Sequence, residues 1–240
     1  SAALDAIKKE SSFYSYGKIR VWGTIGFLFA NFALSYIVDK NGLRWLFILN
    51  TLLMALSSAI PFLISKLKSD IAPQKTVLKN LLFFFNKHFI IIFVACLLVE
   101  ITNTVIYGYF GIFLSNLKFN SQLIGVAWGI GVLVEIPVFL FSNRIINRLG
   151  LKMTLYIGII AHIIKYSILS TITINTSNYY LIILLTQCCH GVFFGAFYSA
   201  LVNLIYLSTP QFLQNSGQSI FVASTYSIGA VLGFIINGEI

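Results

Sequence analysis

Apolar residues run along this chain in seven long stretches, at about 12–38, 44–64, 89–114, 123–142, 153–174, 179–207 and 218–236, with short polar connections between most of them. A helix needs about 20 predominantly apolar residues to cross about 30 Å of hydrocarbon, and the stretches are of that length. None shows the polar–apolar alternation over about 10 residues that marks a membrane barrel strand. The pattern predicts an all-α membrane protein with seven transmembrane helices and no soluble domain between them.

Composition agrees and narrows the class. Of 240 residues, 58% are hydrophobic and 10% charged, against about 25% charged in soluble domains; the mean hydropathy is +0.89. A disordered chain, a disulfide scaffold and an ordinary soluble enzyme are excluded. Cys96, Cys188 and Cys189 lie inside apolar runs and read as packing residues. A net charge of +9 would suggest nucleic acid in a soluble chain. Here the basic residues sit between apolar runs, which points to orientation in a bilayer and to no nucleic-acid partner.

Lys8, Lys9, Lys18 and Arg20, then Lys66, Lys68, Lys75, Lys79 and Lys87, then Arg144, Arg148 and Lys152 fall on one side of the membrane; Lys40, Arg44 and Lys118 fall on the other. The richer side is expected to be cytoplasmic. The segment 65–88, with Pro73 and five lysines, reads as a cytoplasmic linker between two bundles. The expected organisation is therefore 1–64 as two helices ending one bundle, 65–88 as linker, and 89–240 as a five-helix bundle. Two helices before the linker and five after it lead us to expect further helices beyond this sequence.

Three glycine pairs, Gly125 with Gly129, Gly191 with Gly195 and Gly229 with Gly233, are spaced to share a helix face. In lipid, such faces mark close helix contacts. Packing within one bundle is the expected use, and a monomer the expected state.

Ionisable groups at membrane depth are costly and mark candidate sites. Four stand on successive runs: Glu100, Glu135, Lys165 and His190. Glu100 heads a stripe with Asn103, Thr104, Tyr107 and Gly111 on one helical face, which should line a cavity or form an interhelical hydrogen-bond seam. Glu135 shares a face with Trp128, Gly131 and Phe139, and Pro137 removes a backbone donor beside it, so a kink is expected there. Loss of hydration and nearby cations act oppositely on a carboxylate's proton affinity, the chemistry proton coupling uses. The bland alternative is a permanent pair with Lys165 or His190. Lys165, one turn after His162, needs an anion: Glu135, Glu100 or a substrate. His190 has no second His or Cys at metal-ligand spacing, so no metal and no cofactor are expected. Paired acids at i+4 and a Ser–His pair on neighbouring turns are missing too, so no enzyme activity is expected.

Four stretches carry a family resemblance. Tyr16-Gly-Lys-Ile-Arg-Val-Trp-Gly-Thr-Ile-Gly-Phe27 resembles the fifth helix of the major facilitator superfamily, in the branch of lactose permease and the phenylpropionate and nucleoside proton symporters. Ile124-Gly-Val-Ala-Trp-Gly-Ile-Gly-Val-Leu-Val-Glu-Ile136 resembles the eighth helix. Asn143-Arg-Ile-Ile-Asn-Arg-Leu-Gly-Leu-Lys152 resembles the basic loop after it, and Gln187-Cys-Cys-His-Gly-Val-Phe-Phe-Gly-Ala-Phe197 the tenth helix. The resemblance implies a major facilitator bundle in which these seven spans are helices 5 to 11 of an expected twelve.

By that resemblance Arg20 falls on a substrate-binding arginine, Glu135 on a glutamate shared by substrate binding and proton coupling, Lys165 on an arginine of helix 9, and His190 on the helix-10 histidine. Phe193 stands where lactose permease has its proton-translocating glutamate, and Phe27 where it stacks a tryptophan on sugar. The acid partner of Arg20 is expected on a helix outside this sequence. The implied function is a proton-coupled symporter of a small organic solute (a sugar, nucleoside or aromatic acid) in a bacterial inner membrane. A non-transporting remnant of such a protein is the alternative. Expected proton-coupling residues are Glu135, Glu100 and His190. Expected substrate contacts are Arg20, Phe27, Asn103, Tyr107, Trp128, Glu135, Lys165 and His190.

Overall fold

A computed structural model describes the backbone of residues 2–59 and 82–238; side chains are described from Arg20 onward within those ranges, except at 215 and 224. No strand occurs among the described residues. The helices are α1 (Ala2–Asn41), α2 (Arg44–Ser58), α3 (Lys87–Asn116), α4 (Ser121–Leu169) and α5 (Tyr179–Ser208), followed by α6 (Gln214–Val222), a π-helical stretch (Ala223–Gly229) and α7 (Ala230–Gly238). Short 3-10 turns at Leu82–Phe85 and Gln211–Leu213 precede α3 and α6.

Among the described residues, five helical segments are long and apolar enough to cross a membrane: Arg20–Asn41, Lys87–Asn116, Ser121–Leu169, Tyr179–Ser208 and Ser216–Gly238. The 49 residues of α4 would measure about 73 Å at 1.5 Å per residue, more than twice a bilayer's hydrocarbon thickness. They form two spans, broken at Gly150, whose φ of 82° and ψ of 160° leave the helical region. Only glycine visits that backbone conformation readily. The break thus falls at Gly150, and Pro137 is carried inside the first arm. The basic stretch 143–152 is helical on both sides of that one residue instead of an open loop. The α2 run was expected to reach 64, and the helix is described to Ser58. Residues 60–64 and most of the expected linker, 65–81, lie outside the described residues.

Local chemistry sets the other ends. Gly42, at φ 86°, closes α1 by donating its N–H to the carbonyl of Val38 at 2.8 Å, the left-handed C-terminal cap that glycine favours. Asn120 caps α4, its side-chain oxygen accepting the N–H of Leu123 at 2.8 Å. The expected span 153–174 stops at Leu169, because Thr173 and Thr176 form a polar turn in which the Thr176 hydroxyl accepts the N–H of Thr173.

The helices fall into two compact units. One comprises Ser1–Tyr36 and Phe113–Pro210, the other Ile37–Ile112 and Gln211–Ile240. In the first, both arms of α4 lie on α5. A Cβ on Gly191 would meet the backbone oxygen of Gly131, Val134 Cβ at 2.7 Å and the Glu135 backbone nitrogen at 2.9 Å. One on Gly195 would meet Val138 Cβ at 2.6 Å, and one on Gly158, past the break, Phe197 Cβ at 2.8 Å. Gly125 and Gly129 play the same part against α1, where they face Ser35 and Phe32; Asn31 Nδ2 donates to the Gly125 carbonyl at 2.7 Å. In the second unit, a Cβ on Gly229 would meet Glu100 Cβ at 2.9 Å, and one on Gly233 would meet Thr104. All three glycine pairs therefore serve helix contacts within this chain.

Gly191→Ala is expected to be among the most damaging small substitutions. Two of the atoms its methyl would meet are backbone and cannot rotate away. Forcing extra volume into packed helices costs about 1–3 kcal/mol, so thermal unfolding in detergent should show a clear loss. Gly111→Ala, where a Cβ meets nothing within 4 Å, should be close to neutral.

Candidate functional site

The first unit gathers five of the expected site residues around α5. Arg20 on α1 and Glu135 on the first arm of α4 form an ion pair, Nη2 to Oε1, at 3.6 Å. The acid's side chain is 7% exposed and the arginine's 34%. Thr24, one turn beyond Arg20 and buried, lies with its hydroxyl oxygen 2.9 Å from the same Oε1 and donates to it. The guanidinium carbon lies 5.5 Å from the Phe139 ring centre and 5.7 Å from that of Phe194. Phe139 stands one turn after Glu135, and Phe194 one turn after His190, so a single contact of α1, α4 and α5 supplies the cation, the acid and both rings.

Glu135 pairs with Arg20, not with Lys165 or His190 as the alternative had it, and Arg20 thereby has an acid partner within this sequence. Each residue's face was readable; which neighbouring helix it met was not. At 3.6 Å the pair lies beyond the 2.7–3.2 Å of a direct N–H···O bond. Its attraction comes from opposite charge, with the rings adding cation–π support. An anion of better geometry could therefore compete for Arg20 at modest cost.

His190 is buried against Trp128, with ring centres 5.8 Å apart and nearly perpendicular, and tilts against Phe194 at 5.9 Å. Gly131 makes room for it: a Cβ there would approach His190 Cδ2 at 3.2 Å. Among the described residues, His190 Nδ1 is buried without a hydrogen-bond partner. Lys165, on the second arm of α4, is fully buried and donates to Gln187 Oε1 at 3.4 Å. Gln187 in turn donates to Thr186 Oγ1 at 3.2 Å. One turn before Lys165, His162 stacks on Phe193 with ring centres 3.9 Å apart. Phe193 thus packs on an imidazole at the place where the resemblance led to a glutamate.

Phe27, expected to contact substrate, is 50% exposed on α1. Glu100, Asn103 and Tyr107 belong to the second unit. There Glu100 is buried and Asn103 Nδ2 donates to its Oε2 at 3.3 Å. Thr104 Oγ1 accepts from Asn237 Nδ2 at 2.8 Å, and the same amide donates to the Ile101 carbonyl at 3.0 Å. The stripe is a seam against the last helix over Glu100–Thr104, while Tyr107 is 46% exposed. Asn237 escaped the sequence reading because a single amide near the end of an apolar run carries no spacing signal. Thr24 escaped it too, although a threonine four residues after Arg20 must share its face.

Comparison with known proteins adds an independent line. The family described as "MFS_1 like family" matches residues 1–240. The chain is 25% identical over 164 residues to a "Probable 3-phenylpropionic acid transporter" of Escherichia coli (strain K12), covering 66% of this chain and 42% of that protein. It is 24% identical over 215 residues to the "Uncharacterized transporter YwbF" of Bacillus subtilis (strain 168), covering 87% of this chain and 51% of that protein. The chain spans about half the length of these curated relatives. No solved structure matches it.

Proposed function

Because this chain belongs to the MFS_1 like family, a membrane family of the major facilitator type, we propose that it serves a proton-coupled secondary transporter that carries a small aromatic carboxylic acid by alternating access. The proposal concerns the whole protein to which these helices contribute. The observation that carries it is the Arg20–Glu135 pair, with its guanidinium near the rings of both Phe139 and Phe194.

A guanidinium presents a planar fork suited to a carboxylate, and aromatic rings beside it suit an aromatic substrate body. Trp128, held against His190, extends the same aromatic lining. Substrate carboxylate and Glu135 then compete for one cation. A Glu135 that has taken a proton no longer holds Arg20, and Arg20 is available to the incoming anion. When the proton leaves, the internal pair re-forms and displaces the substrate. Proton and anion thus travel together. Arg20 on α1 and Glu135 on α4 meet across a helix contact, so the pair would open and close as those helices shift during alternating access. The 3-phenylpropionic acid named for one relative sets the first probe. Basic connections facing the cytoplasm and a bacterial inner membrane complete the proposal. A monomeric state is supported by the three glycine pairs being engaged internally.

Membrane vesicles containing the protein should take up radiolabelled 3-phenylpropionate when an inward proton gradient is imposed, and lose that uptake when a protonophore collapses the gradient. Uptake that ignores the gradient would refute proton coupling. A screen in which aromatic acids fail and a sugar or nucleoside succeeds would refute the substrate class.

A further inference from the structure

Thr24 has two possible acceptors and one proton. Its Oγ1 lies 2.9 Å from Glu135 Oε1 and 3.3 Å from the backbone oxygen of Arg20. The residue is 2% exposed, so water is not a ready substitute for either. A hydroxyl donates once and accepts through two lone pairs. With Glu135 ionised, the hydroxyl hydrogen points at Oε1, the stronger interaction because the acceptor is charged. With Glu135 protonated, the acid becomes the donor, and its proton points at Thr24 Oγ1. The Thr24 hydrogen then turns to the Arg20 carbonyl, one turn back on the same helix. No heavy atom needs to move between the two arrangements.

We propose that Thr24 is a positioning residue that serves Glu135 in both protonation states, donating to the carboxylate and accepting from the carboxylic acid. The inference rests on the reading of Glu135 as the proton carrier. The proton that arrives on Glu135 comes from water, and the Thr24 hydrogen only rotates about its own C–O bond. Arg20 cannot do this: it has donors only and so favours the anion. The division of labour is that Arg20 answers to the charge and Thr24 to the carboxyl in either form. Besides Glu135, the buried charged or imidazole side chains described on α4 and α5 are His162 and Lys165 on the second arm of α4 and His190 on α5; α1 contributes the part-exposed Arg20. Of these, Arg20 contacts the Glu135 carboxylate.

Infrared difference spectra of the protein in lipid, recorded between acidic and alkaline buffer, test this without any transport substrate. The carboxylic C=O stretch that is present in the wild type and missing from Glu135→Gln belongs to Glu135. In Thr24→Val, which keeps the shape and removes the hydroxyl, that band is expected to move to higher frequency as the acid loses its acceptor. In Thr24→Ser it is expected to stay in place. Thr24→Ala substitutes for Thr24→Val if the valine protein cannot be recovered folded. A band unmoved in the variants without the hydroxyl overturns the proposal while leaving Glu135 as a proton carrier. So does a band that moves equally in Thr24→Ser. If Glu135→Gln removes no band, Glu135 does not change protonation, and the proton-carrying reading falls together with this inference.

Discussion

Glu135→Gln is expected to abolish uphill accumulation of 3-phenylpropionate while leaving exchange of internal for external substrate in place. Glutamine keeps the shape of the side chain, and its amide can still meet the Thr24 hydroxyl that stands 2.9 Å from Oε1. It cannot take or release a proton. Substrate can still find Arg20, because the variant removes its internal competitor. What disappears is the linkage between proton and substrate, and a linked equilibrium without one of its ligands has no gradient to draw on. Uptake should stop when internal and external levels match. Uphill accumulation in this variant would remove Glu135 from the coupling mechanism and leave the buried Glu100 as the next acid to test.

Arg20→Ala should give the second large effect, on affinity and on stability together. Losing a charge-assisted hydrogen bond to a substrate carboxylate costs about 1.5–3 kcal/mol, roughly a 10- to 150-fold weaker apparent affinity. The variant also leaves Glu135 buried without its counter-charge. Truncating one partner of a buried pair costs about 2–5 kcal/mol. The one-third exposure of the arginine sets the expectation at the low end. The double variant Arg20→Gln with Glu135→Gln should recover most of that stability, since no unpaired charge remains. Thermal unfolding of the two single variants and the double variant gives the coupling directly. Arg20→Lys should bind more weakly than wild type even though it preserves the charge, because an ammonium lacks the planar fork that lies near Phe139 and Phe194. Additive losses in the double variant would mean that the pair is incidental.

The membrane-spanning architecture was legible because a bilayer imposes a length and an apolar composition that a sequence displays openly. Single-residue backbone events were less so. The break between the two spans was expected over 143–152, but not that Gly150 alone would make it, because glycine readily enters the conformation adopted there while the neighbouring residues stay helical. The π-helical stretch Ala223–Gly229 has no spacing that would announce it. Arg20, Glu135, Lys165 and His190 stood out because charge at membrane depth is expensive. Their partners did not, because periodicity assigns a residue to a helix face and says nothing of the helix opposite. Arg20 met Glu135, Lys165 met Gln187, and the Thr104 of the Glu100 stripe met Asn237. The aromatic rings were partly visible as neighbours one turn from the acid and the histidine, though not as neighbours of one guanidinium.

The central claim is that substrate and proton cross together through the Arg20–Glu135 pair. Its most direct test is a pH electrode in a lightly buffered suspension of membrane vesicles that contain the protein and carry no imposed gradient. Adding 3-phenylpropionate should make the outside medium more alkaline as protons enter with the substrate, and Glu135→Gln should give substrate entry with no pH change. Wild-type entry of labelled 3-phenylpropionate with no accompanying proton movement would contradict the account.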